Sequence, residues 1–305
     1  MTKQKGAGYL FVHFTGESPE GEQIYFSLSQ DGLHWQDINE KKPVLRSKIG
    51  EKGVRDPYIV RSRLDGCFYI IATDLRIASG KGWEVAQYEG STQMIIWRSE
   101  DLIHWSEPWT YQVDVQGAGC VWAPETIYDP EEGAYLVFWA SMVREPGDEE
   151  AKQRIYCSYT RDFKDFTPSK TYIERDHHVI DTTIIEENGT FYRFSKNETT
   201  KNIRMDCGKY LQGEFTEVAA ENLNALEGVE GPAAFPIKEE VCLMVDRFAE
   251  GLGYLPLLTS NLEKGDFQVL DSGSYDMGEN QKRHGSVLVL EEGEYQRLME
   301  RWGEE

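Results

Sequence analysis

Two interleaved repeats and two unpartnered strands at the chain ends predict an all-β fold, a five-bladed β-propeller with a short C-terminal helix. The first repeat is the pattern [S/T]-x-D-x-x-[H/D]-[W/F], carried by Ser29-Gln-Asp-Gly-Leu-His-Trp35, Ser99-Glu-Asp-Leu-Ile-His-Trp105 and Thr160-Arg-Asp-Phe-Lys-Asp-Phe166. Weaker echoes run from Lys209 to Phe215 and from Ser260 to Phe267. Each copy follows an apolar segment of strand type, such as Gln23 to Ser27, Met94 to Arg98 or Arg154 to Ser158, and so marks a turn between strands.

The second repeat is strand, glycine turn, strand. It runs from Asp56-Pro-Tyr-Ile-Val to Gly66-Cys-Phe-Tyr-Ile-Ile, from Ala123-Pro-Glu-Thr-Ile-Tyr to Gly133-Ala-Tyr-Leu-Val-Phe, and from Asp181-Thr-Thr-Ile-Ile to Gly189-Thr-Phe-Tyr-Arg-Phe. A fourth copy joins Glu230-Gly-Pro-Ala-Ala-Phe to Val241-Cys-Leu-Met-Val. Asp65-Gly66 and Asn188-Gly189 favour hairpins because the central residues of a type I′ turn need positive φ. The fifth member, His284-Gly-Ser-Val-Leu-Val-Leu290, has no strand after it, and Gly8-Tyr-Leu-Phe-Val-His-Phe14 at the other end supplies one. Pairing them closes a ring and removes two sheet edges. The sequence thus predicts one domain over residues 1–305. A pair of β-sandwiches is the alternative, but it leaves five stations in register unexplained. The segment 291–303 reads as a helix, with Tyr295, Leu298, Met299 and Trp302 forming a stripe that docks on the propeller.

Composition narrows the function. The 305 residues carry 53 Asp+Glu against 32 Lys+Arg, a formal charge of -21, which disfavours a protein that tracks nucleic-acid phosphates and suits a neutral ligand such as a sugar. The hydrophobic fraction of 40% is enough to build a core. The N-terminal apolar run is broken by glycine, aromatics and His13, unlike a signal-peptide core, and no stretch approaches the roughly 18 apolar residues of a membrane span. Five scattered cysteines without a C-x-x-C pair fit reduced thiols. These features predict a soluble, cytoplasmic protein with no membrane or nucleic-acid partner. Oligomeric state is not encoded in any readable pattern.

In a propeller the innermost strand of each blade starts near one end of the central channel. The five starts here are Asp56, Ala123 to Glu125, Asp181, Glu230 and His284, a concentrated polar set. Like charges gathered in a partly desolvated funnel raise at least one pKa, which lets one carboxyl hold a proton while a neighbour stays ionised.

In its order of motifs the chain resembles glycoside hydrolase family 43 along nearly its whole length. The motifs are Arg55-Asp56-Pro57, Val121-Trp122-Ala123-Pro124-Glu125, Ile180-Asp181, Glu230-Gly231-Pro232 and Arg283-His284-Gly285. The resemblance implies hydrolysis of α-L-arabinofuranosyl or β-D-xylosyl linkages in plant-derived oligosaccharides, with inversion at the anomeric carbon. It implies Asp56 as general base, Glu230 as general acid, and Asp181 as the group that tunes and orients the acid. By the same resemblance Trp122 stacks on a sugar face, Arg283 bonds sugar hydroxyls and holds Asp181 ionised, and His284 lines the channel. No cofactor is required, and a structural calcium near His284 is an expectation of the same kind. Two departures stand out: Thr182 where proline is frequent, and Glu125 where aspartate is commoner. Two other readings remain, a non-catalytic carbohydrate- or protein-binding propeller and a glycoside phosphorylase, which needs a basic phosphate pocket.

Overall fold

The computed structural model describes residues 7–303, and its strands form five four-stranded antiparallel sheets. The chain opens with β1 (Gly8–Phe14), β2 (Tyr25–Ser29) and β3 (Gln36–Asp37). The next blade holds β4 (Val54–Arg61), β5 (Phe68–Asp74), β6 (Gln93–Ser99) and β7 (Trp109–Gln112), with a short helix α1 (Trp83–Tyr88) between β5 and β6. Then come β8 (Trp122–Asp129), β9 (Ala134–Val143), β10 (Lys152–Thr160) and β11 (Lys170–Ile173), followed by β12 (Val179–Glu187), β13 (Thr190–Asn197), β14 (Asn202–Gly208) and β15 (Thr216–Glu217). After helix α2 (Glu221–Asn224), the last complete blade is β16 (Glu230–Ile237), β17 (Glu240–Asp246), β18 (Tyr254–Thr259) and β19 (Gln268–Val269). Strand β20 (Arg283–Leu290) returns to the first blade, and helix α3 (Glu294–Trp302) ends the chain.

β20 pairs with β1 from Gly8↔Leu290 to Phe14↔Arg283, so the first blade takes its innermost strand from the C-terminal end, as expected. The five inner strands pack in the ring β4, β8, β12, β16, β20 and back to β4. The second strands lie inside their sheets and between neighbouring blades, which is why they read as continuous apolar runs: all ten residues of β9 and all seven of β5 are buried. The outer strands β3, β15 and β19 are only two residues long, and such brevity limits edge pairing with other chains.

The core lies between blades. Tyr69 of β5 stacks on Phe163 at 4.3 Å between ring centroids, and Trp139 and Val137 close the same layer. Full burial of a side chain such as Phe163 stabilises the fold by roughly 1.5–3 kcal/mol.

The repeated turn has a common cause. Each copy joins the third strand of a blade to its outermost strand, and its aspartate caps the turn. Asp31 Oδ1 accepts from the backbone N–H of Leu33 and His34, both at 2.9 Å. Asp101 and Asp162 make the equivalent bonds to Ile103 and His104 and to Lys164 and Asp165. Burial opposes ionisation of Asp31, yet these bonds lower its pKa to about 2. Trp35 is core, as its place in the repeat suggests.

Helix α3 begins at Glu294, three residues later than expected, because Gly293 adopts φ +85° and the Glu294 carboxylate accepts from the N–H of Glu291. Leu298 is fully buried, and Tyr295, Met299 and Trp302 pack on the same cluster. The Glu294 carboxylate also takes Arg61 Nη1 at 2.6 Å and Nη2 at 2.8 Å. The apolar stripe is therefore a docking face.

Candidate active site

Four of the five inner strands begin with the same irregularity. Their pairing to the second strand slips at a bulge, and one residue in each bulge has positive φ: Asp56 at 50°, Ala123 at 45°, Asp181 at 47° and Gly231 at 54°. Holding a non-glycine residue there costs of order 1–3 kcal/mol, and such strain persists where the surroundings over-determine it. At Gly231 a side chain is excluded outright, since a Cβ would lie 2.7 Å from the His284 ring. The bulges also correct the expected register. Asp56 and Asp181 are equivalent, whereas Glu230 lies one residue before its bulge position and Glu125 two residues after, so the five starts are not five copies of one station.

His284 is the hub. Its Nδ1 lies 3.6 Å from Asp56 Oδ1 and 3.8 Å from Asp181 Oδ1, and its Nε2 lies 3.9 Å from Glu125 Oε1. Burial opposes the charged imidazole, but the carboxylates around it, Asp181 foremost, raise its pKa to about 9. His284 is thus an imidazolium at neutral pH. Burial raises Glu125 to about 7 and Asp181 to about 6.

The calcium expected beside His284 does not fit this arrangement. Calcium wants six to eight oxygen ligands. Among the described residues no group of three or more His, Cys, Asp and Glu side chains is arranged to hold a metal ion.

Asp56 and Glu230 sit in contrasting surroundings. Asp56 Oδ2 accepts from Thr73 Oγ1 at 2.9 Å, and the same hydroxyl accepts from the Ala123 N–H at 2.8 Å. Glu230 accepts from Lys196 Nζ at 2.8 Å and from Arg283 Nη2 at 2.9 Å. Burial works to raise the Glu230 pKa, but these two cations, Lys196 foremost, hold it below its ordinary value. Arg283 also donates from Nε to Asp246 Oδ2 at 2.6 Å, and Lys196 pairs with Glu198 at 2.6 Å. Burial raises Asp246 to about 6. Arg283 is therefore committed to Glu230 and Asp246, not to Asp181 as expected.

Asp181 instead meets the acid's strand through the backbone, where its Oδ2 accepts from the Gly231 N–H at 3.1 Å. Tyr254 adds a tie, donating to Gly231 O at 2.7 Å and accepting from the Gly285 N–H at 3.0 Å. Thr182, in place of the frequent proline, shares a hydrogen bond with Ser195 at 2.8 Å. Trp122 is half-buried at the start of β8, with its ring edge-on to Trp83 at 5.9 Å.

Sequence reading missed Thr73, Lys196 and Asp246. All three lie near the C-terminal ends of second strands, where the apolar runs FYIIATD, TFYRFSKN and EVCLMVD turn polar. That change of character was the available clue.

The fold and mouth define a five-bladed propeller with carboxylates converging on one end of its channel. The family model described as "Probable glycosyl hydrolase domain", a relative of glycoside hydrolase family 43, matches residues 4–296, and the chain belongs to that glycoside hydrolase family. An α-L-arabinofuranosidase of Bifidobacterium longum is 28% identical over 240 residues, covering 70% of this chain. This chain spans only 22% of that relative's length. Among solved structures, an exo-β-1,3-galactanase from Phanerochaete chrysosporium with β-1,3-galactotriose superposes with a TM-score of 0.63 at 12% identity, over 94% of this chain and 64% of that one. A putative exo-β-1,3-galactanase from Bifidobacterium bifidum gives 0.58 at 15% identity, over 92% of each chain. At these identities the structural matches establish the fold. No helix among the described residues is long and apolar enough to cross a membrane.

Proposed function

We propose that the chain hydrolyses α-L-arabinofuranosyl or β-D-xylosyl linkages in plant-derived oligosaccharides, with inversion of configuration. One observation carries the choice of reacting groups. Of the four carboxylates at or just after the starts of β4, β8, β12 and β16, Asp56 and Glu230 keep the most side-chain exposure, 15% and 18%, against 9% for Asp181 and 4% for Glu125. They stand on β4 and β16, with β20 between them in the ring. In an inverting enzyme the two carboxyls are roughly 6.5–9.5 Å apart, leaving room for a water beside the anomeric carbon.

Asp56 then takes a proton from the water that attacks the anomeric carbon. Glu230 delivers a proton to the departing oxygen as the glycosidic C–O bond breaks and the C–O bond to water forms, and solvent then removes the proton from Asp56 and restores one to Glu230. The free protein keeps Glu230 ionised, so it must be loaded first. Glu198, Glu230 and Asp246 face three cations, Lys196, Lys201 and Arg283. A sugar that displaces water from the mouth desolvates the Glu230 carboxylate and so favours its protonation. Because the acid starts from a lowered pKa, activity should fall on the alkaline side early, giving an acidic optimum.

The arabinosyl preference rests on the Bifidobacterium longum relative, named an α-L-arabinofuranosidase. Asp181 and His284 position the pair, and Trp122 and Glu125 line the sugar pocket. The five free cysteines support a reducing compartment such as the cytoplasm. The test is a panel of nitrophenyl arabinofuranoside, xyloside and galactoside without added phosphate, followed by proton NMR of the first-formed sugar. Release only with phosphate, or a retained anomer, overturns the mechanism. Cleavage of the galactoside alone overturns the sugar.

A further inference from the structure

Of the seven large apolar side chains exposed among the described residues, three, Trp83, Val85 and Tyr88, belong to the six-residue helix α1. Such side chains rarely cluster on a surface without a ligand or partner to cover them. The helix sits at the channel mouth. Trp83 lies edge-on to Trp122 at 5.9 Å, and the Arg55 guanidinium lies 4.9 Å from its ring centroid. Arg55 is the residue before Asp56, and Trp122 the residue before Ala123, whose N–H bonds the Thr73 hydroxyl that also holds Asp56. Trp83 is therefore in contact with the neighbours of the reacting carboxylate on two strands, and it remains 45% exposed.

The segment is held, not loose. Glu22, fully buried, accepts from the N–H groups of Ile77 and Ala78 at 2.8 and 2.9 Å and from Arg55 Nη1 at 3.2 Å. At the far end of the segment Gly90 donates to Gly119 O at 2.8 Å, and Gly119 abuts the backbone of Gln87 and Tyr88 so closely that a Cβ there would lie 2.6 Å from Gln87 O. Ala86 is buried beneath. An indole fixed in this way loses little freedom when a ligand covers it, so contact area converts efficiently into affinity.

We propose that Trp83 is the platform for a second sugar ring, the one adjoining the sugar whose bond is cut. The C–H face of that ring would lie on the indole, next to Trp122. This rests on reading the mouth as a glycoside site, and it assigns chain-length preference to α1 and not to the catalytic blades.

The experiment separates the two claims. Tryptophan fluorescence or calorimetry measures binding of α-1,5-arabinotriose, β-1,4-xylotriose, β-1,3-galactotriose and the three matching monosaccharides to wild type, Trp83→Ala and Trp83→Phe, each carrying Asp56→Asn so that the trisaccharides are not consumed. Hydrolysis by wild type is measured separately on the nitrophenyl panel. We expect Trp83→Ala to weaken the bound trisaccharide about tenfold, Trp83→Phe to restore most of that loss, and monosaccharide binding to stay within about twofold. Equal affinity of Trp83→Ala and wild type for the trisaccharide overturns the proposal. So does an equal loss for monosaccharide and trisaccharide, or no trisaccharide binding to wild type. Trisaccharide binding that depends on Trp83 without any hydrolysis would keep the platform and remove the catalytic reading.

Discussion

The two sides of the channel mouth hold the same kind of group in opposite ways. On the β4 side, Asp56 takes one neutral hydroxyl bond and faces an imidazolium beyond hydrogen-bond range. On the β16 side, Glu230 is clamped by a lysine and an arginine that each hold a further carboxylate. A carboxylate served by a hydroxyl can accept a proton from water without breaking a charge-assisted hydrogen bond. One served by two cations changes protonation only as part of a six-group cluster, since Lys201 also pairs with Glu198. The lesson is that a residue's task is set by what its partners are already committed to.

The largest expected effect tests this contrast directly. Asp56→Asn and Glu230→Gln should each lower kcat by about 10²–10⁴-fold. A substrate with a good leaving group needs little protonation, so nitrophenyl or fluoride donors should partly rescue Glu230→Gln and leave Asp56→Asn inactive. Near-full activity of Asp56→Asn would break the assignment.

Next in size is Lys196→Met. Lys196 is almost fully buried between Glu198 and Glu230, with Phe248 4.3 Å away, and removing one partner of a buried pair costs about 3–5 kcal/mol. The melting temperature should drop. Below it, the alkaline limb of the pH–rate profile should move upward, because Glu230 loses the first cation that holds its pKa down. An unchanged limb would mean that the cluster does not set the acid.

His284 sharpens the comparison through pH. A group whose pKa is higher in the folded than in the unfolded protein stabilises the fold at low pH. For His284 that contribution is complete below 6.5 and lost as pH passes about 9. Thermal melts of wild type should decline across that window, and His284→Gln should flatten the decline. The smallest effect is expected for Thr73→Val, which removes the hydroxyl between Asp56 and the Ala123 N–H. Leaving that buried N–H unpaired costs about 1–3 kcal/mol of stability, with a few-fold loss of kcat and no displacement of the alkaline limb.

Much of this was readable from the chain. Strand periodicity and recurring turns are local properties, since a capping aspartate must precede the N–H groups it binds by two or three residues. The order of strands around the ring followed from the same repeats, and the unpaired ends at Gly8 and Leu290 could satisfy their backbone groups only with one another. Asp56, Asp181, Glu230 and His284 stood out because each opens a strand in a repeating series.

The partners of those residues were decided elsewhere. Lys196 meets Glu230 across 34 positions, and Arg283 meets it across 53. Asp246 was an ordinary strand-end aspartate until the fold placed it, fully buried, against Arg283. Trp83 lay in a loop without any readable pattern, and only its packing on Arg55 and Trp122 brings it to the mouth. The sequence by itself determined the five-bladed ring and the acidic strand starts, because hydrogen-bonded turns and strand burial act over a few residues. Tertiary structure alone decided which carboxyls have raised and which have lowered pKa values, because pKa depends on burial and on charges within a few ångströms, and those distances exist only once the ring has closed.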